Sequence, residues 1–226
     1  MDLMLLDTIE FRINIDELLK NLRIDSDSED KARVLELAEN AENIGKPKVI
    51  YKESIIDFKG NDYIVTGGIK FSSHIMRVNL DKTDRIFPYV CTCGRELYQW
   101  SKDLEDMMEQ YWADVIMELA LKSAVASFEN HMTACFDTEA TSNMNPGSLE
   151  DWPISQQKEL FTLLGDPYKD IGVELTDSYL MLPVKSISGI RFTSEEDFVN
   201  CRLCPRERCS NRRVEYDNSI YNEIYK

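Results

Sequence analysis

The sequence predicts a single α+β domain with a small tail. Three observations carry that prediction. The chain has 226 residues, enough for one large domain that buries about 70% of the surface it exposes when unfolded. Helical runs flank a strand-rich stretch between Lys48 and Phe71, a segregation typical of α+β folds. No internal repeat or low-complexity linker divides the chain, so we place the domain at 1–197 and the tail at 198–226.

The elements follow in order. Asp16 to Arg23 reads as a short amphipathic helix. The acids and serines from Asp25 to Asp30 offer capping chemistry for a second helix, Lys31 to Ile44, with Val34, Leu35, Leu37 and Ala38 at helical spacing. Gly45 and Pro47 end it. Lys48 to Phe58 is rich in β-branched and aromatic residues, and Gly60 to Asp62 marks a turn. Tyr63 to Thr66 and Ile69 to Phe71 read as further strands around Gly67 and Gly68. Arg85 to Thr92 reads as a buried strand in which Pro88 implies an edge or a bulge. After Gly94, helices are predicted over Glu96 to Met108 and Tyr111 to Asn130, then a short third stretch from Met132 to Glu139. Asn143 to Pro153 reads as a turn-rich loop. Ser155 is the predicted cap of a helix from Gln156 to Leu164 whose Leu160, Leu163 and Leu164 face the core. Val173 to Leu175 and Ser186 to Phe192 complete the strands.

Composition narrows the partners. Lys plus Arg number 26 against 41 Asp plus Glu, a net charge of −15. Phosphate backbones and anionic membrane surfaces repel such a chain, so neither nucleic acid nor membrane is an expected partner. The excess serves solubility, or attraction to a basic partner face or a cationic ligand. The opening residues mix acids among apolar side chains, unlike a secretory signal. The apolar-looking run Tyr111 to Phe128 is broken by Asp114, Glu118 and Lys122. A cytoplasmic protein is expected.

Six cysteines fall as a pair, a singleton and a triplet. Cys201-x-x-Cys204-x-x-x-x-Cys209 suits an iron–sulfur cluster or zinc that lacks a fourth ligand, for which Cys93, Cys91, Cys135 or His131 are candidates. The set we expect is Cys201, Cys204, Cys209 and Cys93. The surrounding Arg202, Arg206, Arg208, Arg212 and Arg213 favour thiolate, or simply offset the acidic body. A zinc-stapled tail or free thiols is the plainer alternative. Cys91-x-Cys93 on a strand reads as a redox pair or as buried sheet packing. Neither His74 nor His131 sits beside an obvious nucleophile, so no hydrolase triad is expected. Asp114 and Glu118 lie one helical turn apart and could line a cation site or simply face solvent.

The stretch from Pro146 to Gly189 carries a resemblance. It holds a Pro146-Gly147 turn, an Asp151-Trp152-Pro153 loop, a helix with Leu-Phe and Leu-Leu pairs, then Leu175-Thr176-Asp177-Ser178, Met181, Pro183 and Ser186-Ile187-Ser188-Gly189. In this order the signals resemble the activation domain of cobalamin-dependent methionine synthase. The Asp151-Trp152-Pro153 loop, the cysteine-rich end and Thr92-Cys93-Gly94-Arg95-Glu96-Leu97 look like a shorter, stand-alone branch associated with corrinoid methyltransferases. The first 80 residues add little to the match.

The resemblance implies a twisted, mostly antiparallel sheet flanked by helices. It implies an accessory or reactivation protein that docks on a corrinoid protein or corrinoid methyltransferase, with cobalamin held by the partner and S-adenosylmethionine as ligand. An iron–sulfur protein delivering electrons to a corrinoid protein is the alternative. A complete methionine synthase is not expected, since the chain has no D-x-H-x-x-G cobalamin motif. The ligand-binding set is Asn143, Pro146, Gly147, Asp151, Trp152, Glu118 and Tyr179, with Trp152 and Tyr179 either stacking on a flat ligand or packing. Two departures matter. The family motif has an arginine three residues before the proline–glycine pair, where it grips the ligand carboxylate; here Asn143 stands there, and an amide lacks a charged bidentate fork. The aromatic residue after the pair is here Ser148.

Overall fold

The computed structural model describes residues 3–25, 27–136, 141–149, 151–193, 200–204, 206–208, 212–217 and 219. Strand β1 (Leu3–Leu6) leads to helices α1 (Ile15–Leu22) and α2 (Lys31–Ile44). Asn14 caps α1, its side-chain oxygen accepting the Glu17 N–H at 3.1 Å, and Arg23 closes it at φ 56°. No side-chain bond caps α2 at Asp30, although the helix spans the predicted residues.

Strands β2 (Lys48–Lys52), β3 (Ser54–Lys59), β4 (Tyr63–Thr66) and β5 (Ile69–Ser72) precede helix α3 (His74–Asn79) and strand β6 (Arg85–Thr92). Helices α4 (Arg95–Asp103) and α5 (Met107–Phe136) follow, then β7 (Thr141–Met144), α6 (Gln157–Leu164), α7 (Pro167–Ile171), β8 (Glu174–Leu175), β9 (Met181–Leu182) and β10 (Ser186–Thr193). The main sheet is antiparallel and centred on β6. On one side β6 pairs with β10, and β10 with β7. On the other, β6 pairs first with β2 and then with β3; β1 lies outside β2, and β4 and β5 lie outside β3. A small β8–β9 hairpin stands apart.

Pro88 therefore lies in a central strand, not at an edge. The ladder explains why it is tolerated. β2 pairs with Tyr89 to Thr92 and β3 with Arg85 and Ile86, so Pro88 lies at the joint where the neighbour changes. The missing N–H falls beside an interruption.

Other boundaries differ from expectation. Helix α4 stops at Asp103, and α5 begins at Met107 because Asp106 Oδ1 accepts the N–H groups of Met108 and Glu109 at 2.8 and 3.0 Å. The predicted 111–130 helix and the stretch from Met132 form one helix of 30 residues, since no glycine or proline interrupts them. Ser155 caps nothing; a 3₁₀ turn over Ile154–Gln156 leads into α6. Gln156 instead exchanges two hydrogen bonds with the Ser72 backbone, at 2.8 and 2.9 Å, and so extends β5. The turn-rich loop begins only at Asn145, because Thr141–Met144 is strand β7. β1, α3, α7 and β9 were not foreseen.

The two sheet faces pack separately. Ile50, Ile86, Val90, Ile190 and Phe192 meet Phe71, Trp152, Leu160 and Leu164 on the face covered by α3, α6 and α7. Tyr51, Phe87, Tyr89 and Cys91 meet Phe128 and Met132 of α5 on the other. A third cluster joins α1, α2, α4 and the first half of α5, with Cys93 inside it. Leu203, from the tail, packs into the first cluster at 5% exposure, so this part of the tail is built into the body.

Candidate functional site

Asn143 sits on β7 directly opposite Arg191 of β10. Its Nδ2 donates to Asn145 Oδ1 at 3.0 Å, and its Oδ1 accepts from Arg213 at 3.3 Å. Asn145 in turn donates to the Tyr89 hydroxyl at 3.1 Å and to the Ser188 carbonyl at 2.8 Å. Gly189 makes this approach feasible: a Cβ there would meet the Asn145 amide and the Met144 carbonyl at 2.6 Å. Arg191 donates to Thr141 at 2.9 Å and to Glu129 of α5 at 3.1 Å, and lies 5.8 Å from the Phe128 ring centre. Burial pushes the Tyr89 phenol up to about 12, so it stays neutral. The result is a polar surface at the β7–β10 edge carrying two guanidinium groups, one carboxylate and two amides. Nothing in the sequence drew attention to Arg191; its value comes from cross-strand register.

The Pro146-Gly147 bend follows directly. Gly147 takes φ +78°, and its N–H donates to the Trp152 carbonyl at 2.8 Å, closing the loop. The loop then crosses to the other sheet face. There Asp151 is wholly engaged, accepting from the Ser73 hydroxyl and the Ile75 N–H at 2.9 Å each, which fastens α3. Trp152 is 0% exposed and meets Phe71 edge-on at 6.4 Å between ring centres. Of the two readings of Trp152, stacking on a ligand or packing, the burial fits packing: neither ring face is open. The Asp114–Glu118 pair, read as a cation site or a solvent-facing pair, is occupied from within, because Lys185 lies 2.8 Å from Asp114 and 3.5 Å from Glu118. Burial works against that ammonium, yet Asp114 and Glu118 raise its pKa above the ordinary lysine value. Tyr179 sits at the β8–β9 turn with φ 63°, under Lys158 at 5.2 Å. The seven predicted ligand residues thus divide among several places, with Asn143, Pro146 and Gly147 adjoining one surface.

The predicted metal set is also divided. Cys93 is fully buried between the helices of the third cluster, donates to the Gly94 carbonyl, and is pushed up to about 12 by burial. Cys201 and Cys204 flank Leu203, which packs on the opposite side of the sheet with α6, so the fold does not bring Cys93 to them. Cys209 lies outside the described residues. Among the described residues no three potential ligands cluster. Instead Arg212 donates to the carbonyls of Cys201 at 3.0 Å and Cys204 at 3.3 Å, and to those of Arg206 and Val214. Cys91 is buried and free, its thiol raised by burial, which argues for packing rather than redox pairing with Cys93.

Comparison with known proteins adds to this geometry. Residues 148–209 match the family described as vitamin B12 dependent methionine synthase, activation domain. The match is confined to that segment. It takes in both the loop that fastens α3 and the strand β10 that pairs with Asn143. A solved structure, the MetH reactivation domain bound to AdoHcy, matches with a TM-score of 0.59 and 13% identity, over 88% of this chain and 81% of that one. The chain has the activation-domain fold, including most of the first 80 residues, where the sequence match is thin. No curated protein matches the sequence. Among the described residues no helix is long and apolar enough to cross a membrane.

Proposed function

We propose that this protein is an accessory or reactivation component of a corrinoid methyltransferase system, one that docks on a cobalamin-binding surface and holds an S-adenosylmethionine-type ligand at the β7–β10 edge. The observation that carries this reading is that the matched segment, 148–209, begins directly after the Pro146-Gly147 bend and contributes Arg191, which lies opposite Asn143 on the polar surface. AdoHcy bound to the MetH reactivation domain supports the ligand class.

The residues present suit such a ligand. Its carboxylate needs a cation, and Arg191 and Arg213 supply guanidinium groups where Asn143 cannot. Glu129 and the backbone of the bend offer acceptors for its positive end. When bound, the ligand supplies the methyl group; the protein binds and orients it. The chain has no D-x-H-x-x-G motif, so cobalamin is held by another domain or chain.

Calorimetric titration with S-adenosylmethionine tests this, together with gel filtration against a cobalamin-binding protein. Binding by the natural chain, weakened by Arg191→Gln and strengthened about tenfold by Asn143→Arg, is the expected result, equivalent to ~1.4 kcal/mol. If neither the natural chain nor Asn143→Arg binds, and no complex elutes, the proposal fails.

A further inference from the structure

A second polar cluster lies at the end of α5, outside the surface described above. His131 and Cys135 are one helical turn apart on the same face. The Cys135 sulfur lies 3.6 Å from Nε2 and 3.9 Å from Nδ1 of His131, so the sequence expectation that no nucleophile adjoins either histidine is corrected. The imidazole is itself held. Its Nε2 lies 2.7 Å from the Tyr51 hydroxyl, and the two rings meet edge-on at 5.5 Å. Tyr51 is 2% exposed and packs on Phe128 at 5.3 Å, which fixes it. Cys135 is exposed, whereas Cys91 and Cys93 are buried and Cys201 and Cys204 half-buried.

This is a nucleophile, a base and a group that orients the base. With the ring proton on Nε2, that N–H donates to the Tyr51 hydroxyl and Nδ1 keeps a lone pair for the thiol proton. Burial, with Cys135 and Glu53 nearby, raises the Tyr51 phenol, so it stays protonated as a hydrogen-bonding partner. The remaining charges around the pair are accounted for. Glu53 is paired with Arg85 at 3.2 Å, and the Arg85 guanidinium lies 5.7 Å from the ring of Phe136, the residue after Cys135. Glu129 is drawn across to Arg191.

We propose that Cys135 is a thiol-exchange site for low-molecular-weight disulfides, with His131 as its base and Tyr51 as a positioning residue. The thiol proton passes to His131 Nδ1. The Cys135 sulfur attacks one sulfur of the disulfide, that S–S bond breaks, and a mixed disulfide forms on Cys135. The departing thiolate takes the proton back from His131. The disulfide is the oxidant, and no other electron acceptor is needed. The site is independent of the ligand reading above.

The probe is glutathione disulfide on the full chain, with mixed disulfides located by mass spectrometry across about pH 6 to 9. Cys135 should react about tenfold faster than Cys201 and Cys204. His131→Gln should slow Cys135 about tenfold near neutral pH and change the pH dependence of its rate. Tyr51→Phe, nearly isosteric, should slow Cys135 and leave Cys201 and Cys204 unchanged, which separates positioning from loss of fold. Equal rates at all three cysteines, or a Cys135 rate and pH profile unmoved by both His131→Gln and Tyr51→Phe, would overturn the proposal.

Discussion

Trp152 shows how a residue with a ligand-like signature can be structural. It closes the loop from Gly147 and fills the first core cluster with no exposed surface. Trp152→Ala should cost about 3–5 kcal/mol in urea unfolding, by cavity formation. Its buried Nε1 has no hydrogen-bond partner, so Trp152→Phe should cost less than the alanine change. The buried thiols and phenol of the second and third clusters give a pH prediction. Unfolded thiols and phenols lose protons near 9.0 and 10.0, while folded Cys93 and Tyr89 hold theirs to about 12 and Cys91 is raised in the same direction. Between those limits the native state binds more protons than the unfolded one, so stability falls as pH rises. Urea midpoints should be flat from neutral pH to about 9 and then decline, less steeply in Cys91→Ala. Arg191 and Lys185 could not have been read beforehand. One acquires its place from strand register, the other from a loop meeting a helix 67 positions away.

At the scale of elements, much was legible where local chemistry decides. Lys31–Ile44 and Arg85–Thr92 have the predicted bounds because their apolar periodicity and flanking breakers agree. Failures arose where long-range pairing decides. β7 carries polar residues and became a strand only through β10, and β1 is an edge recruited by β2. The start of α5 was legible in principle, since Asp106 is a good N-cap. Asp106→Ala should cost about 1 kcal/mol and fray the first turn, measurable by unfolding and by amide exchange near Met108. Gly94 joins β6 to α4 at φ +96°, where a Cβ would lie 2.4 Å from the Lys46 carbonyl. Gly94→Ala should therefore destabilise by more than ~1 kcal/mol, through both backbone strain and displacement of Lys46.

For the whole molecule, the matched segment and the sheet support the function proposed above. The chain's net charge of −15 favours a partner with a basic face. Complex formation with a cobalamin-binding protein should weaken steadily between low and physiological salt if that charge guides docking; insensitivity to salt would assign the contact to apolar surface instead. The tail belongs to this scale too, because Leu203 anchors it in the core while Arg212 gathers the carbonyls around it. A guanidinium keeps its proton at every pH the fold survives, and it cannot be stripped away by a chelator. The knot is therefore permanent: resistance of these described residues to proteolysis should be indifferent to EDTA, yet fail in Arg212→Lys, whose ammonium has too few donors to span the same four oxygens.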